Sequence, residues 1–273
     1  MSFRQRKIAD YTLDPQKLSA NARKYSYTDF PALGFFSSYL ATAAGYGDPT
    51  GATGDLNYWE IPLNQGGSLW AEYHIKGAGQ TILAPRFSSD GTGPNVALDL
   101  TSTEGAEYLF GGDVSGRGKH VYTIGTSPAF FAKIALTIAD VSGVNPLLFG
   151  FRKVEAAQAV YTSYTDYALI GAVTAANPAA IKTATRLNTG TAVIVDTTQT
   201  KADATQMTLE VWVDQLGVVT FILDGAFPTV TQSFTFDSGD QVMPILSFLH
   251  AATTPGVITL QHFSSGFLSV SRP

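Results

Sequence analysis

The sequence predicts an all-β protein, an antiparallel β-sandwich preceded by an N-terminal arm that contains one short helix. The first observation is that short segments of alternating apolar and polar residues follow one another from about residue 55. They are separated by glycine, proline, asparagine, aspartate and serine, which is typical of sandwiches and barrels. The second observation is that hydrophobic residues make up 45% of the 273 residues and charged residues only 14%. We therefore expect a full core and a surface partly covered by neighbours.

The chain is expected to divide at about residue 50. Residues 1–50 form a basic arm with a short helix and an apolar segment, and residues 51–273 form the β-sandwich domain. In the arm, Asp14 suits a helix N-cap and Pro15 suits the first helical position. A single short helix does not fold alone. The arm is therefore expected to need a partner surface.

Basic residues are concentrated in the arm. Residues 1–25 contain six basic and two acidic residues, a net charge of +4, whereas residues 26–273 contain 11 basic and 20 acidic residues, a net charge of −9. Two interpretations remain open, a solvated tail or an arm that binds an acidic partner. Six cations without interleaved aromatic residues are too few to indicate nucleic-acid binding. The partner-binding residues of the second interpretation are Arg4, Arg6, Lys7, Lys17, Arg23 and Lys24.

Period-two patterning places the strands. In the stretch 208–225, Leu209, Val211 and Val213 are expected to face the core. Gly217 is placed for the left-handed residue of a hairpin loop, and Asp224-Gly225 makes a second turn. The predicted strands are 68–76, 80–87, 95–101, 106–110, 119–124, 131–138, 147–153, 167–173, 191–196, 206–214, 217–224, 242–249 and 256–263.

This hairpin, the Asp-x-x-x-Pro segment 240–244 and the closing strand 257–263 resemble the concanavalin A-like lectin/glucanase jelly roll. The segments 149–151 and 166–171 fit the same arrangement, so the resemblance covers about residues 55–270. It implies a jelly-roll sandwich with a sheet face suited to carbohydrate.

The residues that catalyse in relatives of this fold have no counterpart here. Glucanases use Glu-x-Asp-x-x-Glu on one strand, and the sequence has no such triplet. Glu104 and Glu107 are expected to be solvated loop carboxylates. Alginate lyases need an arginine-rich strand and Gln-x-His, whereas Gln261 and His262 are adjacent and only Arg152 lies near a suitable strand. The sequence therefore predicts no catalytic residue and no enzyme activity.

The sequence also lacks the common motifs of metal and cofactor sites. The Glu-x-Asp metal strand of legume lectins is replaced by Glu210 and Trp212. A looser calcium site among Asp90, Asn95 and Asp99 is conceivable, but turn chemistry accounts better for these residues. The chain has no cysteine, its four histidines lack ligand spacing, and the glycine-rich loop 111–120 lacks the Walker A pattern. We expect no metal and no cofactor.

Three tryptophans are candidates for stacking on sugar rings, namely Trp59, Trp70 and Trp212. Trp212 alternates with the apolar face of its strand, so it lies on the other face, either packed under a second layer or exposed.

In overall character the chain resembles virion structural proteins of tailed bacteriophages, which combine threonine-, alanine- and glycine-rich strands with a short basic arm. The resemblance implies a non-enzymatic protein that decorates or cements a capsid. Its partners would be the major capsid protein or another virion protein and further copies of itself, with a trimer preferred. The alternative is a carbohydrate-binding module or an adsorption protein of a tail or fibre. No signal peptide and no run of 18 apolar residues are visible, so we expect a virion protein assembled in the host cytoplasm without a membrane partner.

Overall fold

The computed structural model describes residues 57–62, 68–76, 86–88, 95–98, 105–111, 116, 120–251 and 257–268. The first four segments, and residues 106 and 262, are described by their backbone alone. The predicted arm helix and the arm cations lie outside these residues. No helix among the described residues has the length and apolar character needed to cross a membrane.

The described chain is built from β-strands, with two short 3-10 helices at Val141–Gly143 and Tyr161–Ser163. The strands are β1 (Asn57–Pro62), β2 (Ser68–Lys76), β3 (Arg86–Ser88), β4 (Asn95–Leu98), β5 (Gly105–Phe110), β6 (Tyr122–Thr123), β7 (Phe130–Ile138), β8 (Val144–Lys153), β9 (Tyr167–Ala172), β10 (Ala179–Arg186), β11 (Val193–Lys201), β12 (Gln206–Val213), β13 (Val219–Leu223), β14 (Gln241–His250) and β15 (Ile258–Phe267).

The strands form two antiparallel sheets. The nine-stranded sheet has the order β1-β2-β5-β14-β8-β9-β10-β11, with β6 paired to β14. The six-stranded sheet has the order β13-β12-β7-β15-β4-β3. Each sheet pairs strands that are distant in sequence, such as β5 with β14 and β7 with β15, as in a jelly roll. The predicted sandwich class is therefore confirmed.

The core lies between the sheets and is rich in aromatic rings. Tyr122 stacks on Phe130 at a centroid distance of 4.2 Å, and Phe110 stacks on Phe263 at 4.3 Å. The Tyr122 hydroxyl hydrogen-bonds to Ser265 Oγ at 2.8 Å. Burial raises the pKa of Tyr122 well above its usual range. Apolar residues at every second position of both sheets therefore close a single core.

The hairpin predicted around residue 217 is present. Leu209, Val211 and Val213 are completely buried, and Gly217 has a φ of 91°, in the left-handed region. A Cβ at Gly217 would also lie 2.5 Å from the carbonyl oxygen of Phe236, so both the turn and the packing favour glycine.

Three strands differ clearly from the prediction. The predicted strands include neither β1 nor β10, whose interior is Ile-Lys-Thr-Ala-Thr, and they end β11 at residue 196, five residues before Lys201. A bulge explains the early end of β11, because the pairing of β10 with β11 shifts between Ile181 and Lys182. The bulge brings Thr198 to a φ of 66° and interrupts the alternation from which strands are predicted.

Candidate functional site

A buried ion pair lies on the face of the nine-stranded sheet that is turned away from the core. Arg152 Nε, on β8, donates to Glu107 Oε1, on β5, at 3.0 Å, and both side chains are fully buried. The expectation that Glu107 is a solvated loop carboxylate is therefore wrong. The sequence motif of Glu107 gave no indication of burial, because its partner is 45 residues away in the chain.

Tyr164 completes this cluster. Its hydroxyl lies 2.7 and 2.8 Å from the two carboxylate oxygens of Glu107 and accepts the backbone N–H of Gln158 at 3.0 Å. The Arg152 guanidinium lies 4.3 Å from the Tyr164 ring centroid, a cation–π distance. Burial and the Glu107 charge raise the pKa of Tyr164 far above its usual range. The cluster is enclosed, and it links strands β5 and β8 to the segment 158–164.

An apolar cluster surrounds the pair on the same face. It is buried, and its members are Leu109, Leu148, Tyr161, Tyr164, Tyr167, Leu169, Ala184, Met243 and Ile245. All six residues of β9 are buried, so this strand is covered on both faces. A strand that is covered on both faces has a continuous run of apolar residues in its sequence. The strand 167–173 could therefore be predicted, although the layer that covers its outer face could not.

Tyr167 is expected to make the protein sensitive to alkali. Burial raises the pKa of Tyr167 from about 10 to about 12, with a smaller contribution from Tyr161. Because the folded-state pKa is raised, the stability from this group is present below pH 10 and is lost as the pH rises toward 12.

The Tyr167 hydroxyl has no hydrogen-bond partner among the described residues. At pH 7 we expect the free energy of unfolding of Tyr167→Phe to equal or exceed that of the native chain. Between pH 10 and 12 we expect the variant to lose less of this free energy than the native chain does, by at most about 2–3 kcal/mol. Urea unfolding at pH 7, 10 and 11 measures this, and parallel pH profiles for the two proteins contradict it.

The loops at one end of the sandwich converge into a polar rim, defined here by the segments 124–129, 154–166, 187–192, 214–218 and 235–240. Backbone hydrogen bonds join them. Gly125 N donates to Gln215 O at 3.0 Å, Phe236 N to Gly217 O at 3.0 Å, and Thr189 N to Thr165 O at 3.0 Å. These bonds hold the loops of both sheets in fixed positions, as a binding site on a rigid scaffold requires.

An amide and a carboxylate face each other across this rim. Asn188 Nδ2 donates to Asp237 Oδ2 at 2.6 Å, and the backbone N–H of Asn188 donates to Asp166 Oδ1 at 2.7 Å. Both Asn188 and Asp237 are exposed, while Asp166 is buried. Together Asn188 and Asp237 offer a donor and acceptors side by side, which suits neighbouring hydroxyl groups of a ligand.

The loop that bears Asn188 is strained and held in place. Asn188 and Thr189 have φ values of 50° and 58°, two consecutive left-handed residues without a glycine. Arg186 fixes them, since its Nη2 donates to Thr189 O at 2.9 Å and its Nε donates to Gly190 O at 2.7 Å. Strain of this kind persists where the surroundings determine the backbone, and it is concentrated at binding sites.

Lys153 pairs with two buried carboxylates under the rim. Its Nζ lies 2.5 Å from Asp240 Oδ1 and 3.5 Å from Asp166 Oδ2. The hydrogen bond to Asp240 raises the pKa of Lys153, and burial opposes this rise. Its single positive charge offsets part of the charge of the two carboxylates. Among the described residues, no three His, Cys, Asp or Glu side chains are grouped so that they could hold a metal ion.

The rim also carries an exposed apolar side chain. Leu216, at the tip of the β12–β13 hairpin, is 75% exposed. It is adjacent to Gly217, whose carbonyl accepts from Phe236, the residue before Asp237. The rim thus combines an exposed carboxylate, an amide and an apolar surface, a combination that fits a ligand with both hydroxyl and C–H faces.

The predicted tryptophans belong to strands of both sheets. Trp59 and Trp70 belong to β1 and β2 of the nine-stranded sheet, and their side chains lie outside the described part. Trp212 lies half-buried on the outer face of the six-stranded sheet, where its Nε1 donates to Glu210 Oε1 at 2.5 Å. Trp212 is therefore outside the inter-sheet core.

Sequence reasoning missed the residues of the rim. The only local signals are Asn188-Thr189-Gly190 and Asp237-Ser238-Gly239-Asp240, which read as ordinary turns. The candidate calcium residues Asp90 and Asp99 lie outside the described residues. His120 and His250 are buried, and His120 Nδ1 lies 3.2 Å from the Tyr122 hydroxyl, a packed arrangement.

Comparison with solved structures identifies the architecture. The carbohydrate recognition domain of Emp47p superposes with a TM-score of 0.52 at 13% identity, over 92% of this chain and 100% of that domain. The fold is that of a lectin-like jelly roll. The potassium-bound carbohydrate recognition domain of Emp46p superposes with a TM-score of 0.50 at 9% identity, over 72% of this chain and 89% of that domain. No protein-family model and no curated protein matches the sequence. At these identities the likeness shows the fold alone.

Proposed function

We propose that the chain is a carbohydrate-binding protein whose binding site is the polar rim. The observation that supports this most strongly is the exposed Asn188–Asp237 pair. Asn188 lies on a loop that Arg186 holds in a strained conformation. Preorganised polar groups need little further ordering on binding, which favours affinity. The lectin-like fold of the two carbohydrate recognition domains supports the same class of ligand.

In this proposal the ligand is a sugar with neighbouring hydroxyl groups. Asp237 accepts two hydroxyl protons, Asn188 donates from its amide, and Leu216 packs on the C–H face of the ring. Lys153 pairs with Asp240 and Asp166 beneath them. Because the described residues contain no group of side chains that could hold a metal ion, we expect binding to be unchanged by EDTA.

The experiment is a glycan array with the purified full chain, followed by calorimetry with the best glycan. Losing a hydrogen bond to a charged group costs about 1.5–3 kcal/mol, so Asp237→Ala is expected to weaken binding about 10- to 100-fold. Asn188→Ala is expected to weaken it by a smaller factor. Asp196→Ala serves as the matched control, because Asp196 is an exposed aspartate on β11, away from the rim.

Two outcomes contradict the proposal. Absence of binding to every glycan at about millimolar affinity removes the carbohydrate function. Binding that is abolished by Trp212→Ala but retained by Asp237→Ala moves the site to the outer face of the six-stranded sheet.

The role as a capsid-decorating virion protein stays a prediction. It depends on the basic arm with Arg4, Arg6, Lys7, Lys17, Arg23 and Lys24, which lies outside the described residues. An adsorption protein of a tail or fibre would combine both ideas, since such a protein is part of a virion and binds glycans. Co-sedimentation of the full chain with capsids, compared with a chain lacking residues 1–25, tests the arm directly.

A further inference from the structure

The segments of the polar rim carry an excess of negative charge. They contain five acidic residues and no basic residue. The two residues directly before a rim segment that are basic are Lys153 and Arg186, so the rim and its borders have a net charge of −3. The acidic residues are Glu155, Asp166, Asp214, Asp237 and Asp240.

Three of these carboxylates belong to one network of contacts. Asn188 donates from its backbone N–H to Asp166 Oδ1 at 2.7 Å and from Nδ2 to Asp237 Oδ2 at 2.6 Å. Lys153 Nζ lies 3.5 Å from Asp166 Oδ2 and 2.5 Å from Asp240 Oδ1. The backbone N–H of Asp240 donates to the carbonyl oxygen of Asp237 at 3.2 Å. The three carboxylates therefore surround one amide and share one ammonium group.

The network leaves negative charge without a counter-charge. Lys153 supplies one positive charge against three carboxylates. Oδ2 of Asp166 and Oδ2 of Asp240 are buried, and no group donates a hydrogen bond to either atom. Arg186 does not compensate for them, because its guanidinium donates to four backbone carbonyl oxygens and to no carboxylate among the described residues. Buried charges are screened little by salt, so their field reaches a ligand at the exposed Asp237.

We propose that the rim selects sugars by charge, so that amino sugars bind most tightly, neutral sugars less tightly and sugar acids most weakly. This inference rests on the proposed function, because it names the class of ligand for the same site. An ammonium group beside Asp237 is attracted by the whole network, whereas a carboxylate or sulfate is repelled by it. One pair of unit charges in contact changes an affinity by about 5-fold even at the dielectric constant of water.

The test compares sugars that differ in charge and share a ring. Glucose, glucosamine and glucuronate are titrated by calorimetry against the full chain at about pH 6.5, where the amine is protonated and the acid is ionised. Galactose, galactosamine and galacturonate form a parallel series. Within a series we expect the amino sugar to bind at least about 5-fold more tightly than the neutral sugar, and the acid at least about 5-fold more weakly. Raising the salt concentration should reduce both ratios.

Asp237→Asn removes one charge of the network and keeps the length of the side chain. Its amide oxygen still accepts a hydroxyl proton, so the neutral sugar should lose less affinity than the amino sugar. We expect the ratio of amino-sugar to sugar-acid affinity to fall at least about 5-fold. Asp196→Asn is the matched control, because Asp196 is an exposed aspartate on β11 outside the rim. It should leave the ratio unchanged.

Asp214→Asn provides a second measurement if Asp237→Asn binds too weakly to be titrated. Asp214 Oδ1 accepts the backbone N–H groups of Leu216 and Val218, both at 2.8 Å, and an amide oxygen retains this role. The substitution therefore removes a rim charge and keeps the turn. We expect the same decrease in the ratio by a smaller factor.

Equal affinities for the neutral sugar and its acid overturn the inference and leave the proposed function intact. An affinity ratio that falls equally in Asp237→Asn and Asp196→Asn also overturns it, because the selection then does not arise at the rim. Where neither series binds, the glycan array makes the same comparison between neutral and acidic glycans. A chain that binds no glycan of any charge removes the proposed function, and this inference with it.

Discussion

Replacing Arg152 by methionine is expected to lower the free energy of unfolding by about 3–5 kcal/mol. The substitution removes the cation that lies 3.0 Å from the Glu107 carboxylate, and both side chains are fully enclosed in the native protein. The Tyr164 hydroxyl remains 2.7 Å from Glu107 but cannot neutralise the charge. Urea unfolding at pH 7, followed by tryptophan fluorescence, measures the loss.

Lys133→Met is the matched control for this substitution. Lys133 lies 3.6 Å from Glu210, but its side chain is exposed on the outer face of the six-stranded sheet. Pairs of this kind contribute about 0–1 kcal/mol, so the control should stay close to the native stability. An Arg152→Met protein that is no less stable than Lys133→Met contradicts the prediction.

If the Arg152→Met chain does not fold, a double variant keeps the test decisive. Replacing Glu107 by leucine together with Arg152→Met removes both charges, and apolar replacement of a buried ion pair is often close to neutral. We expect this variant to fold and to recover most of the lost stability. A double variant that is as unstable as Arg152→Met shows that the cost lies in packing and not in the unpaired charge.

The second large effect is expected at Gly150. A Cβ at this residue of β8 would lie 2.2 Å from the carbonyl oxygen of Ala168 on β9. The neighbouring atoms are backbone, so the strands themselves must separate. Overpacking costs about 1–3 kcal/mol, and the positive φ of 152° adds strain. We expect Gly150→Ala to lower the free energy of unfolding by at least about 3 kcal/mol.

Gly225→Ala is the control for this collision. Gly225 also has a positive φ, 78°, but a Cβ there meets nothing within 4 Å. Its cost is the backbone strain alone, about 1–2 kcal/mol. The difference in unfolding midpoint between the two alanine variants measures the steric contribution at β8 and β9. Equal midpoints would show that the sheet adapts to the added methyl group.

The elements that could be predicted from sequence are those with strong local signals. The β12–β13 hairpin has alternating apolar residues and a glycine turn, and the structure confirms the burial of Leu209, Val211 and Val213. Strand β10 was missed because its Lys182 and threonines imitate a polar loop. Thr183 and Thr185 are nevertheless buried, since they face the core side of a sheet wider than its partner.

The class of fold and the positions of several turns could be predicted from sequence, because alternation and turn residues are local properties of the chain. Which polar residues come into contact depends on the tertiary structure. Glu107 and Arg152 are 45 residues apart, and Asn188 and Asp237 are 49 apart, yet each pair is in contact. These contacts depend on strand order and register, which a sequence with few charges and no motif does not encode locally.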